Sequence, residues 1–137
     1  MTDTKEMLDT SPTALPLDTA DIAAAIDACL SCLQTCSSCA DADLAEDDVE
    51  ELRTCIARCL TCADVCELTA RTLSRPVSWD RLVVHGVLQA CVDACAVCAV
   101  ECERHAAHHR HCALCAQTCN TCVRACQALL DSGAFEQ

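Results

Sequence analysis

The chain has 137 residues, enough for one domain with a core of ordinary size, yet it contains one Trp, one Phe and no Tyr. Its net charge of −12 makes attraction to nucleic acid or to an anionic membrane surface unfavourable, so cations are the natural partners. The 17 cysteines far exceed normal usage and indicate either a disulfide scaffold or a metal site.

The N-terminal segment bears on the choice between disulfides and metal. Residues 1–17 are polar, contain two prolines and predict a flexible arm ahead of the folded domain. They lack the basic stretch and the apolar run of about 7 to 15 residues that mark a secretory signal. No later segment has the roughly 18 uninterrupted apolar residues of a membrane span. We therefore expect a soluble cytoplasmic protein whose thiols stay reduced.

The cysteines fall into four blocks, and neighbouring cysteines within a block are three or four residues apart. This alternation averages about 3.5 residues, so all sulfur atoms of a block lie along one stripe of an α-helix. The first block is Cys29, Cys32, Cys36 and Cys39; the second Cys55, Cys59, Cys62 and Cys66; the third Cys91, Cys95, Cys98 and Cys102; the fourth Cys112, Cys115, Cys119, Cys122 and Cys126. The sequence therefore predicts four helices, each with a cysteine stripe that faces inward.

Local signals predict where these helices begin and end. Asp18 is suited to cap the first helix, and Ser78, after the break at Pro76, is suited to cap the third. Gly133 fits just past the last helix. Short connections between helices of roughly 20 to 30 residues predict an all-α fold, an antiparallel up-and-down four-helix bundle with a cysteine-lined core over residues 18–133.

A core lined by cysteines indicates a metal, because Leu, Ile and Val would fill a core built for packing alone better than small thiols do. Reduced thiolates suit Cu(I), Zn²⁺ or iron–sulfur clusters. Structural zinc sites gather four ligands in separate knots, and cluster sites use cysteines on loops, so neither predicts a continuous helical ladder. Cu(I) accepts two sulfur ligands in a near-linear arrangement. Bridging thiolates can therefore hold a chain of Cu(I) ions, roughly one per cysteine, and leave the core nearly neutral.

The cysteine blocks resemble those of the bacterial copper storage proteins, through the segments CLSCLQTCSSC, CIARCLTCADVC, CVDACAVCAVEC and CALCAQTCNTCVRAC. The resemblance covers about residues 20–130. It implies a cysteine-lined four-helix bundle that holds many Cu(I) ions, with copper donors or acceptors as partners. Because the chain shows no export signal, it resembles the cytosolic branch of the family, and that likeness implies a homotetramer.

The two ends of the predicted bundle differ in chemistry. An antiparallel arrangement brings to one end the apolar residues Ile22, Ile26, Leu73, Val84, Leu88, Leu129 and Leu130. The opposite end gathers acidic residues from the turn over 41–51 and four histidines from the turn over 103–111, namely His105, His108, His109 and His111. Counting in helical steps from the nearest cysteines places the first three histidines in phase with the sulfurs. Because imidazole is a good copper ligand, we expect the four to form a mouth that passes ions to the thiols.

Two other interpretations stay open. A zinc or mixed-metal thiolate buffer would bind about one ion per two to four thiolates. A thiol redox protein would need an exposed thiol of low pKa, usually beside a βαβ pattern that this sequence lacks. No catalytic triad, phosphate loop or paired-carboxylate site is recognisable, so we expect no enzyme activity.

Overall fold

The computed structural model describes residues 3–136, and four long helices in it carry the cysteine blocks. A short helix, α1, spans Thr4–Asp9, and the long helices follow as α2 (Thr19–Leu44), α3 (Arg53–Leu73), α4 (Arg81–Glu103) and α5 (Arg110–Asp131). Turns of 3-10 helix at Val49–Leu52 and Pro76–Ser78 lie in two of the connections. The described residues form no strand. The prediction of four cysteine-bearing helices is confirmed.

The four long helices pack in chain order around one core. α2 packs against α3, α3 against α4 and α4 against α5, and α5 closes the ring against α2. Cys29 near the start of α2 lies 3.8 Å, sulfur to sulfur, from Cys126 near the end of α5. Cys39 near the end of α2 lies 3.9 Å from Cys112 near the start of α5. These pairs show that α2 and α5 run in opposite directions. Cys55 near the start of α3 lies 3.8 Å from Cys102 near the end of α4, so these two helices are also antiparallel. The predicted antiparallel four-helix bundle is confirmed.

The ends of the helices follow from local capping. Asp18 Oδ1 accepts a hydrogen bond of 2.9 Å from the backbone N–H two residues on, which confirms the predicted cap of α2. The predicted cap at Ser78 is wrong, because Ser78 lies in a 3-10 turn and Asp80 Oδ1 accepts from the Val83 N–H at 3.1 Å instead. Gly133 follows α5 with a φ of 80°, in the left-handed region that favours glycine.

One end of the bundle is closed by packed apolar side chains, here called the apolar plug. Their exposed fractions range from 0 to 3%, and the residues are Ile22, Ile26, Leu73, Val84, Leu88, Leu129 and Phe135. Leu130, also expected at this end, is only partly buried. The Phe135 ring packs edge-on against Trp79, with ring centroids 5.3 Å apart. The core therefore extends beyond residue 133, where we predicted the bundle to end.

The N-terminal segment differs from the flexible arm that the sequence predicts. Within it, α1 packs against α2, Leu8 is buried, and the Thr4 hydroxyl donates to an Asp27 carboxylate oxygen at 2.6 Å. Burial of Leu8 explains the docking, because removing a Leu side chain from water contributes about 2 kcal/mol. Residues 1 and 2 of this segment lie outside the described residues.

Two of the bundle helices, α2 and α4, are long and apolar enough to cross a membrane by length and composition alone. In both, part of the apolar stretch is buried inside the bundle, where it carries the cysteine stripe. A core helix of a soluble bundle has the same length and composition, so this property is weak support for a membrane span.

Replacing Leu88 by Ala should destabilise the metal-free protein by about 2 to 5 kcal/mol, because it leaves a cavity in the apolar plug. Leu114→Ala is the matched control, since Leu114 lies on the exposed face of α5 and its truncation should cost about 0.5 kcal/mol or less. Urea denaturation under reducing conditions, with a copper chelator present, measures both free energies of unfolding. Equal effects of the two substitutions would contradict a plug that stabilises the bundle.

Candidate metal centre

All 17 cysteines point into the bundle core and form one continuous group of sulfur atoms, here called the thiol column. Each is a free thiol, and the exposed fraction of each is 0 or 1%. The prediction that the four stripes face one interior is therefore confirmed. The helical spacing of the sequence positions every sulfur, because all four blocks lie entirely within α2, α3, α4 and α5.

Sulfur atoms from different helices are in contact throughout the thiol column. Their separations range from 3.5 Å, between Cys62 and Cys95, to 4.0 Å, between Cys32 and Cys95. Cys32 also lies 3.7 Å from the sulfurs of Cys62 and Cys119, so thiols of three helices meet at one level. In the metal-free protein these contacts are weak S–H hydrogen bonds to sulfur, which a metal ion can replace.

Groups of four thiols are close enough to surround one metal ion. In each group all four sulfur atoms lie within 4.8 Å of one another. Five such groups are Cys29, Cys66, Cys91 and Cys122; Cys32, Cys66, Cys95 and Cys122; Cys32, Cys36, Cys62 and Cys119; Cys36, Cys98, Cys115 and Cys119; and Cys39, Cys59, Cys102 and Cys115. Because neighbouring groups share cysteines, an ion bound in one group shares thiolates with the next, as bridged ions do.

The charge of the thiol column limits which ions it can hold. Burial raises the pKa of the Cys112 thiol, and a core without counter-ions cannot hold many thiolates. This cost of uncompensated charge favours protonated thiols in the metal-free column. Metal binding replaces their protons with positive charge. One monovalent ion per thiolate leaves the column neutral, whereas one divalent ion per four thiolates leaves two negative charges at each site.

At the end opposite the apolar plug, Asp43 and His111 continue the thiol column. His111 Nδ1 lies 3.4 Å from Cys39 Sγ and 3.6 Å from Cys112 Sγ. Asp43 Oδ1 lies 3.6 Å from Cys112 Sγ and 3.5 Å from His111 Nδ1. Asp43 is fully buried, and burial raises the pKa of its carboxyl to about 7. Because His111 is partly exposed, this group connects the thiols to solvent.

His109 forms an outer layer over this group without contacting the thiols. Its ring stacks on that of His111, with ring centroids 5.4 Å apart. His109 Nδ1 lies 2.6 Å from a Glu46 carboxylate oxygen, and Nε2 lies 3.0 Å from an Asp48 carboxylate oxygen. Hydrogen bonding to Asp48 raises the pKa of His109. The acidic turn after α2 thus fixes the orientation of this imidazole.

His105, His108 and His109 do not continue the sulfur stripe, contrary to the helical count. His105 Nε2 lies 3.0 Å from a Glu101 carboxylate oxygen, and His108 is exposed. The count is wrong because α4 ends before this segment, and residues 104–109 form a turn that has no helical phase. Of the four histidines in the predicted mouth, His111 alone contacts thiol sulfur within the described chain.

Asp43 is the residue of this group that sequence reasoning missed, because the acidic stretch over 41–51 predicts that it lies in a solvated turn. Its side chain is instead fully buried beside the thiols. The signal was present in the spacing, since Asp43 follows Cys39 by four residues and continues the stripe of α2. An acidic residue in an acidic turn is usually solvated, and this expectation outweighed the spacing.

Comparison with known proteins relates the chain to one family. The sequence profile of the family described as Csp, copper storage protein, matches residues 18–131. The uncharacterized cysteine-rich protein YhjQ of Bacillus subtilis (strain 168) is 32% identical over 106 residues, which cover 77% of this chain and 93% of that protein. The match to the family spans all four cysteine blocks.

Two solved structures from Streptomyces lividans are similar to this chain. The copper storage protein Ccsp loaded with 10 copper equivalents has 45% sequence identity and a TM-score of 0.92, over 94% of this chain and 98% of its own. A cytosolic copper storage protein carrying five coppers has 48% identity and a TM-score of 0.80, over 82% of this chain and 93% of its own. The likeness in sequence and in fold therefore extends over the whole bundle.

Burial predicts that the thiols of the native metal-free protein react slowly with Ellman's reagent. Only motions that open the bundle expose them, so the initial rate should be roughly tenfold or more below that of the unfolded chain. In denaturant all 17 thiols should react together. The absorbance of the released thiolate measures both rates. Rapid reaction of several thiols in the native protein would contradict a closed column.

Proposed function

This chain belongs to the copper storage protein family, and on that premise we propose that its thiol column stores copper as Cu(I), about one ion per cysteine. The observation that carries the proposal is the overlap of four-thiol groups along one buried column. An ion in such a column is bridged to its neighbours through shared thiolates. Cu(I) is soft and monovalent, so it matches the ligands and also keeps the filled column neutral.

A zinc or mixed-metal thiolate buffer is the second candidate, and one observation favours it. The sulfur separations of 3.5 to 4.0 Å include the edge of about 3.8 Å that a tetrahedral site with zinc–sulfur bonds of about 2.3 Å requires. Each such site would nevertheless retain two negative charges in a core without water. Charge therefore favours Cu(I) over zinc for the thiol column as a whole.

A thiol redox role and an enzymatic role receive less support. A reactive thiol is accessible and has a low pKa, whereas all the cysteines here are buried. The family is one of storage proteins. We propose accordingly that the chain holds its metal and catalyses no reaction on it.

We propose the cytoplasm as the compartment, in keeping with the cytosolic protein of Streptomyces lividans to which the chain is similar. There, copper donors and acceptors would load and empty the column. The net charge of −12 opposes binding to nucleic acid and to anionic membranes.

We propose that copper reaches the column where His111 meets Cys39 and Cys112. The apolar plug closes the other end with hydrocarbon, which offers no ligand. His111 is partly exposed on one side and in contact with thiols on the other, so an ion bound there can pass directly to sulfur. His109 supplies a second imidazole at this end. His105 and His108 belong to the proposed mouth through their place in the same turn.

We propose that the chain forms a homotetramer, as its likeness to the cytosolic branch implies. The outer faces of α3 and α4 support an interface between copies, because they expose Leu60, Leu68, Val97 and Val100. Large apolar side chains exposed on neighbouring helices are typical of surfaces that bind another protein.

Anaerobic titration of the reduced protein with Cu(I) should end near one ion per thiol. The physical reason is bridging, which lets each thiolate serve two ions. Zn²⁺ under the same conditions should end near one ion per four thiols, the stoichiometry of separate tetrahedral sites. Native mass spectrometry counts ions and subunits in the same sample. A copper end point as low as that of zinc would contradict storage by bridged Cu(I), and a monomer would contradict the tetramer.

Replacing His111 by Ala should slow copper uptake about tenfold, a change of about 1.4 kcal/mol in the barrier, and leave the final capacity nearly unchanged. Cys119→Ala should instead lower the final capacity and leave the uptake rate nearly unchanged, because it removes a bridging thiolate from the centre of the column. Stopped-flow transfer from a weak Cu(I) chelator, followed by an end-point titration, measures both quantities.

His85→Ala is the matched control for His111→Ala, since His85 lies in the part of α4 near the apolar plug. Its uptake rate should equal that of the unaltered protein. If His111→Ala loads at the parental rate while Leu88→Ala speeds loading, copper passes through the plugged end and the proposed mouth is wrong.

A further inference from the structure

The group formed by Cys39, Asp43, His111 and Cys112, here called the mouth tetrad, differs in chemistry from the rest of the thiol column. It offers two sulfur atoms, one imidazole nitrogen and one carboxylate oxygen. The five four-thiol groups named above offer sulfur alone. We propose that the mouth tetrad is a binding site of its own for one tetrahedral divalent cation of the zinc class. This inference rests on the proposed function only where it concerns copper uptake.

Five of the six separations between the donor atoms match those of a tetrahedral site. Bonds of about 2.3 Å to sulfur, 2.0 Å to nitrogen and 2.1 Å to oxygen place two sulfurs about 3.8 Å apart, sulfur about 3.5 to 3.6 Å from nitrogen or oxygen, and nitrogen about 3.4 Å from oxygen. Here the two sulfurs lie 3.9 Å apart, and His111 Nδ1 lies 3.4 and 3.6 Å from them. Asp43 Oδ1 lies 3.6 Å from Cys112 Sγ and 3.5 Å from His111 Nδ1. A divalent ion can therefore bind with little movement of these four side chains.

One oxygen of the tetrad is buried without a hydrogen-bond partner in the described structure. It is Asp43 Oδ2, on a side chain whose exposed fraction is 0%. Burying an unpartnered carboxylate oxygen is costly, so such an oxygen calls for a ligand. A cation bound through Oδ1 neutralises the carboxylate and so lowers the cost of burying Oδ2 as well.

The orientation of His111 also suits metal binding. All three of its contacts with other tetrad members are made through Nδ1. Nε2 is buried and faces a Glu46 carboxylate oxygen at 3.8 Å. In metal sites, a carboxylate on the far side of the ring holds the proton on the outer nitrogen and leaves the inner nitrogen free to bind the metal. Here Glu46 lies on the far side of the ring, but its oxygen at 3.8 Å makes no hydrogen bond to Nε2 within the described structure.

Charge separates the mouth tetrad from the deeper groups. When a divalent ion binds the tetrad, the two thiol protons leave to solvent, and two thiolates and one carboxylate balance the ion to a net charge of −1. With Cu(I) bound by the same three anions, the net charge of the site would be −2. Carboxylate oxygen is also a poor ligand for so soft an ion. In an all-sulfur group the preference is for Cu(I) over a divalent ion, because shared Cu(I) ions neutralise the thiolates. Divalent and monovalent ions therefore favour different parts of one column.

A divalent ion in the mouth tetrad would occupy His111, Cys39 and Cys112, the ligands through which we propose that copper passes. One equivalent of Zn²⁺ should consequently slow Cu(I) uptake. The final copper capacity should change little, because most thiols lie deeper in the column.

The proposal is tested with Co²⁺ as a spectroscopic probe of the reduced, metal-free, full-length protein under anaerobic conditions. The first equivalent should give the visible absorption of tetrahedral Co²⁺, with thiolate charge-transfer intensity for two sulfur ligands, and Zn²⁺ should displace it. Asp43→Asn keeps the size of the side chain and an oxygen acceptor for the Cys112 thiol but removes the anion. It should weaken Co²⁺ binding by about 10- to 100-fold, at least the loss seen when only an outer partner of a metal ligand is removed.

Two matched variants serve as controls. Asp48→Asn makes the same chemical change at an acid that contacts His109 and no thiol, and it should alter the Co²⁺ affinity by about threefold or less. Cys126→Ser removes a thiol near the apolar plug and should likewise leave the first Co²⁺ site intact. Circular dichroism checks that each variant is folded.

The proposal would be overturned if the first Co²⁺ ion showed the charge-transfer intensity of four thiolate ligands, or if the protein retained no Co²⁺. This measurement needs only the unaltered protein. An affinity equal in Asp43→Asn and the unaltered protein would overturn it as well. Cu(I) capacity measured on the same samples tests copper storage separately. Loss of copper binding with an intact first Co²⁺ site would contradict Cu(I) storage and leave the mouth tetrad as proposed.

Discussion

A thiolate cannot be buried without a positive partner, and the rest of the bundle depends on this constraint. The thiol column must be neutral either as protonated thiols or as thiolates paired with metal, because an isolated charge in a core without water is prohibitively costly. Exchange of a proton for a monovalent cation leaves the charge of the core unchanged. One packing of α2 to α5 can therefore accommodate both forms, unlike a zinc finger, whose fold requires its metal.

A core of small thiols shifts the large apolar side chains to the end of the bundle. The inward positions of α2, α3, α4 and α5 carry cysteine over most of their length, so the bulky residues of the core collect in the apolar plug, where Phe135 meets Trp79. The opposite end carries ionisable groups, His111 and Asp43, at the last inward positions. This polarity follows directly from the sequence of each stripe. It gives the column one end suited to stability and one suited to exchange with solvent.

The sequence predicts the thiol column well because helical phase is a local property that holds for as long as the helix continues. His105 and His108 show the limit of the argument, since the chain leaves α4 before them and a count of helical steps loses its meaning. Asp43 shows the opposite error. It lies within α2, where the count of helical steps still holds, but it was assigned to the acidic turn. The contact between Cys39 and His111 joins residues 72 positions apart and depends on how α2 packs against α5. No local pattern encodes such a contact, so the structure was needed to identify it.

The donor atoms at the open end become softer from the surface to the core. Carboxylates of Glu46 and Asp48 hold His109 at the surface, and His111 beneath it is in contact with both a carboxylate and thiols. Below that level, the donors of the five four-thiol groups are all sulfur. On the proposals made above, borderline divalent ions bind in the mouth tetrad and soft Cu(I) binds further along the column. The spacing of the donor atoms alone fits several cations at each level. The type and charge of the donors therefore decide which cation binds at which level.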